Sequence, residues 1–148
     1  MYNYLELRKE ELKKRGNKGF TLMEMLIVVA IIAVLIAIAI PVFTSQLENA
    51  RDATSIANIR SAYAEAQTAY ITKDSTSTHA TYAGGTDGTA TVTVSDVQVE
   101  SQQNNEWSGQ GDKLPFTKPA DPGKPAKYEV TFSYDADGNI STAPTLAE

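Results

Sequence analysis

Few side chains in this sequence are placed to do chemistry. Glu24 is the only acid in RGNKGFTLMEMLIVVAIIAVLIAIAIPVF, residues 15–43, where it stands at the mouth of an apolar run. A carboxylate in hydrocarbon costs about 2.5 to 3.5 kcal/mol on insertion scales unless it finds a partner. Glu24 therefore calls for a counterpart. His79, the one histidine, stands in a Ser/Thr-rich stretch with no second ligand near it, which reads as a solvated loop residue rather than a metal ligand. DADGN, Asp135 to Asn139, begins like a calcium loop. Its glycine falls two places early and Leu146 stands where a bidentate glutamate belongs, so a hairpin turn is the better reading. The chain has no cysteine, which removes thiol nucleophiles, disulfides and Cys-ligated metal together. No Gly-rich phosphate cradle follows a strand and no acid pair is tied to a strand end, so neither an enzyme nor a cofactor or metal site is expected.

The elements that position Glu24 follow from charge and periodicity. Residues 1–19, MYNYLELRKEELKKRGNKG, carry six bases and three acids, are helical in pattern up to Gly16, and offer no apolar face wide enough for a core. They read as a basic cytoplasmic flank. Removing them leaves seven bases against fifteen acids, a net charge of −8, which argues against broad contact with nucleic acid phosphates. Met25 to Phe43 is nineteen residues without a polar side chain, about 29 Å as a helix and close to the hydrocarbon thickness of a bilayer. It reads as a membrane span with the start of the chain inside and the remainder outside. Pro41 removes one backbone hydrogen bond and crowds the carbonyl of Ala37, so a kink or loosening is expected there, with the helix continuing beyond it.

From Leu47 to Ile71 the pattern turns amphipathic. Ile56, Ile59, Tyr63, Ala66 and Tyr70 alternate spacings of three and four and lie on one stripe, which needs a sheet to cover it. That reading is favoured over an aromatic electron path. Residues 72–91 are rich in Thr, Ser and Gly without a period and are expected to form a long surface loop. TATVTVSDVQVE alternates strictly, with Val92, Val94, Val97 and Val99 shifted in phase at Ser95 and Asp96, which predicts a bulged strand or two short ones. A polar, Pro-rich segment spans 101–126, in which Trp107 either docks on the core or stands exposed. KYEVTFSYDADGNIST predicts a strand with Tyr128, Val130, Phe132 and Tyr134 on one face, a turn at Asp135 to Asn139, and a return strand around Ile140. The fold class expected is α+β. One long helix, membrane-spanning in its first half and amphipathic in its second, packs against a small antiparallel sheet of three or four strands.

KGFTLMEMLIVVAIIAVLIAIAIPVF, Lys18 to Phe43, resembles the amino-terminal signature of type IV pilin precursors and their pseudopilin relatives. The features that match are Gly19, Phe20, Thr21, Leu22, Glu24 and the apolar run as far as Pro41. The resemblance implies a pilin fold, cleavage after Gly19 by a membrane prepilin peptidase, and N-methylation of Phe20. The expected organisation is a cleaved leader at 1–19, a membrane and filament-core helix at 20–43, an amphipathic half at 44–72, and an αβ-loop, sheet and tail at 73–148. Phe20, Thr21, Glu24 and Pro41 are the expected assembly residues. An α-amino group titrates near about 7.7 to 8.0, so cleavage creates a cation on Phe20, one helical turn from Glu24. In a filament, the resemblance implies, the carboxylate of an incoming subunit meets the amine of an assembled neighbour. Removing one partner of a buried ion pair strands the other at about 3 to 5 kcal/mol, so such a pair sets register more than strength. Ala33 stands where the family has a glycine, so partial unwinding of the helix between that position and Pro41 stays open.

The function expected is that of the main subunit of a type IV pilus, serving adhesion, motility, biofilm formation or DNA uptake. The alternatives are a pseudopilin of a secretion or competence machine and a membrane-anchored binding domain that never polymerises. Expected partners are other copies of the chain, the prepilin peptidase, the assembly platform and motor, and the membrane. The absence of cysteine is usual among Gram-positive relatives and points to that envelope.

Overall fold

The computed structural model describes residues 3–16 and 19–148. Lys18, the first residue of the junction, lies outside the described residues. The chain forms two compact units, Met1–Phe43 and Thr44–Glu148.

In the first unit, α1 spans Asn3–Gly16 and exposes Leu5, Leu7 and Leu12. The second helix, α2, spans Leu22–Thr72, so only its opening part falls within this unit. Every large apolar side chain from Met23 to Phe43 is exposed. This stretch is long and apolar enough to cross a membrane by length and composition. Residues on both sides of Pro41 are helical, and α2 continues through it.

The second unit packs the remainder of α2 against a four-stranded antiparallel sheet of order β1-β2-β3-β4, comprising β1 (Ala80–Gly84), β2 (Ala90–Val99), β3 (Ala126–Tyr134) and β4 (Thr145–Ala147). The three-four stripe behaves as expected: Ile56, Ile59 and Ala66 are buried, while Tyr63 and Tyr70 are half-buried against the core. The strands answer with Val92, Val94, Val97 and Val99 from β2 and Tyr128, Val130, Phe132 and Tyr134 from β3. Register shifts between Val94 and Val97, where Asp96 adopts φ 60°. The phase break in the valines is thus a bulge within one strand. Tyr63 contacts the rings of Phe116 and Phe132 at 4.9 and 5.8 Å, and Tyr70 stacks on Tyr134 at 4.3 Å.

Two expectations need correction. Residues 72–91 are not all loop, because β1 lies among them and pairs Ala80 to Gly84 with Val94 to Ala90. An edge strand with only its first residue buried carries no alternation to read. The return strand is not at Ile140, which makes a single bridge to Tyr134; the ladder resumes only at β4, pairing Glu129 to Thr131 with Ala147 to Thr145. The turn before it is a hairpin turn, closed by Asp135 N–H donating to Asn139 O at 2.9 Å, with the Asp135 carboxylate accepting from the amides of Asp137 and Asn139.

The segment between β2 and β3 is held by buried carboxylates. Glu48 on α2 is 3% exposed and accepts from the amides of Gln102 and Gln103 at 2.7 and 2.9 Å. Asp121 accepts from the Ser101 hydroxyl and the Gly123 amide with one oxygen, and from the amides of Trp107 and Asn105 with the other. These bonds hold an unusual turn, in which Glu106, Trp107, Ser108 and Gly109 all take left-handed φ of 58°, 63°, 48° and 76°. Left-handed backbone costs L-residues about 1 to 2 kcal/mol each, so the turn needs outside support. Asn105 caps it by accepting from Ser108 N–H, and Asp52 on α2 accepts from the Ser108 hydroxyl. The turn delivers Trp107 fully into the core, where its indole N–H donates to Pro119 O at 2.9 Å. Of the two readings for Trp107, docking holds.

Candidate processing and assembly site

Gly19, Phe20 and Thr21 stand between α1 and α2 in non-helical backbone. Phe20 is 79% exposed, and a Cβ built on Gly19 would meet nothing within 4 Å. A protease must draw its substrate into an extended backbone, and a scissile bond inside a helix would first have to be unwound. Here the Gly19-Phe20 bond is already outside both helices and uncovered. Among the described residues nothing crowds Gly19, so a requirement for glycine there would be set by what binds it.

What stops α2 from extending back over this bond is a reciprocal pair of hydrogen bonds. Thr21 N–H donates to Glu24 Oε2 at 2.8 Å, and Glu24 N–H donates to Thr21 Oγ1 at 3.2 Å. This is a capping box, with threonine before the first helical turn and glutamate three residues on. It satisfies two amides that a helix start leaves open, and it sets the Glu24 carboxylate at the positive end of the helix dipole. Glu24 thus has backbone and hydroxyl partners besides any cation, and Thr-x-x-Glu ahead of an apolar run is the sequence signal for them.

The structure brings Gly19, Phe20, Thr21 and Glu24 together at one junction. Pro41 lies far along α2, within the apolar run and outside that cluster. His79 is exposed, and among the described residues no group of three or more His, Asp or Glu side chains could hold a metal ion.

Residues 14–40 match the family described as the prokaryotic N-terminal methylation motif. The chain carries the type IV prepilin signature. That signature supports a type IV pilin-like or pseudopilin precursor, a structural protein, anchored in a membrane before processing and assembly. The long helix with a four-stranded antiparallel sheet is the α+β arrangement of the pilin fold. No curated protein and no solved structure matches the chain. The prepilin signature is confined to the span that contains the junction and the apolar run.

Proposed function

We infer that this chain is the main structural subunit of a type IV pilus. It is made as a single-pass precursor, cut after Gly19, N-methylated on Phe20, and polymerised into a surface filament with other copies through an assembly platform and motor. The observation that carries this reading is the uncovered, non-helical Gly19-Phe20 bond next to a carboxylate already held one turn away. Hydrolysis of that bond leaves a carboxylate on Gly19 and an ammonium on Phe20, one residue before the Thr21 amide to which Glu24 is bonded. The acid is therefore in place when its counter-charge appears, and methylation leaves a basic nitrogen there. Contact between the Phe20 amine of one copy and Glu24 of the next would then fix the register of the packed apolar helices. Their burial, at about 25 cal/mol per Å², supplies the strength.

The deciding measurement is mass spectrometry of the first peptide from material sheared off the cell surface. An N-methylated Phe20 start is expected, and chains that keep residues 1–19 in that material would overturn the reading. The same signature serves pseudopilins, which build short structures within secretion or DNA-uptake machines. Long sheared filaments made of this chain separate the pilus from that alternative.

A further inference from the structure

In the second unit, one flank of α2 and the bulged end of β2 enclose a groove of about 350 Å³. Ala62, Val94 and Val97 floor it, and Asn58, Glu65, His79 and Asp96 stand on its rim. The helix side is not free to take up another strand, because Asn58 donates to Gln98 O and Ser55 Oγ accepts from Glu100 N–H. An extended peptide cannot add to this edge. What the groove offers is an apolar floor under two carboxylates, the arrangement that suits a long cationic side chain, with its methylenes on the floor and its head at the rim. Asp96 shares its carboxylate with Lys127 at 3.4 Å, while Glu65 has no ion-pair partner among the described residues.

The opposite flank of α2 carries the complement. Arg60 donates to the backbone oxygen of Lys113, whose ammonium donates to Gln110 Oε1. Lys118 engages the nearby acids Glu106 and Asp112, so Arg60 and Lys113 have no carboxylate partner among the described residues. An arginine has five N–H donors, and most of those on Arg60 are uncommitted. Arg60 cannot reach Glu65 within its own chain. Five residues apart on a helix places them about 140° apart, on either side of the buried stripe of Ile59, Ala62 and Ala66.

A molecule with unlike, complementary patches on two flanks can make head-to-tail contacts, which build an open filament where the rotation between copies does not close. We propose that the groove between α2 and the β2 bulge receives Arg60, with Lys113 beside it, from a second copy of the chain. This rests on the polymeric reading above and gives the globular units a lateral contact of their own, separate from the junction at Phe20 and Glu24.

The test uses the full-length chain in cells, with precursor level in the membrane as the control for folding. Glu65→Arg and Arg60→Glu are each expected to lower sheared filament yield about tenfold or more, because each sets like charges against one another. The double variant, Glu65→Arg with Arg60→Glu, is expected to restore at least about half of the yield, since the charges again oppose. Because the chain lacks cysteine, Ser61→Cys with Asp112→Cys should yield a ladder of disulfide-linked copies in filaments, and neither single variant should. Unaltered yield from both reversals, or no rescue and no ladder in wild-type-like filaments, would overturn the contact. Rescue of Lys73→Glu by Glu65→Arg would overturn it too, by naming a different cation. Absence of any filament from the wild-type chain would instead sink the polymeric reading.

Discussion

Asp121→Ala removes four acceptor contacts at once. Two of the donors, the Trp107 amide and the Ser101 hydroxyl, belong to buried residues, whereas Asn105 is exposed and Gly123 is half-buried and both regain water. The Ser101 hydroxyl can still donate to Gln103 O, so the Trp107 amide is the one orphaned buried donor, at about 1 to 3 kcal/mol. The left-handed turn at 106–109 loses its anchor in the same step. For a domain of this size the melting point should fall by about 4 to 15 °C. Trp107 is the sole tryptophan and is fully buried, so its emission reports this site directly. Thermal or urea unfolding of the purified chain, followed at that emission, should show a lower midpoint and a red-shifted baseline for the variant. Asp121→Asn, which keeps one acceptor oxygen, should fall between the two. A loss below about 0.5 kcal/mol with unchanged emission would refute the claim that this carboxylate seats the loop.

Other outcomes are expected. Gly19→Val should block cutting and leave a precursor heavier by residues 1–19 on a gel while the fold stays intact, since an added Cβ there meets nothing among the described residues; normal mobility would contradict it. Glu24→Ala should leave membrane insertion and cleavage largely intact but sharply reduce surface filaments, and wild-type filament counts would remove its assembly role. Lys124 and Glu148 pair at 2.6 Å beside β4. The hydrogen bond and charge of Lys124 hold the Glu148 carboxyl below its ordinary range, and Glu148 in turn raises Lys124. The acid's contribution is present above its unfolded value and fades as pH falls through the lowered folded value. The lysine's is present below its unfolded value and fades as pH rises through the raised one. NMR should therefore show the Leu146 amide steady across neutral pH and moving at both extremes, and a Glu148 carboxyl titrating at its ordinary value would count against the pair.

How much was legible depended on periodicity. The α2 stripe and the two central strands bury one face each, so Ile59 or Phe132 could be placed from spacing alone. β1 and β4 could not, because edge strands of five and three residues bury almost nothing and exist only through their ladders. Glu48, Asp52 and Asp121 were illegible for a different reason. Apart from the Gly123 amide beside Asp121 and the Arg51 guanidinium beside Glu48, their donors are backbone amides and hydroxyls 14 to 56 residues away, and nothing in a local window marks an acid as an inward-facing acceptor. At the junction the relevant residues were all legible. The reciprocal bonds between Thr21 and Glu24 answer the open amides of a helix start, a need that is separate from the carboxylate's need for a positive charge.

The seat of the 101–125 segment has a mechanical consequence. Its hold consists of carboxylates meeting amides and hydroxyls, with no covalent link anywhere in the chain beyond the backbone. A segment tugged off such a seat comes back without re-forming any disulfide, so it requires no oxidant, and reductants leave it untouched. On the filament reading proposed above, a subunit stretched and released at the cell surface would recover this seat after each pull with no disulfide to re-form.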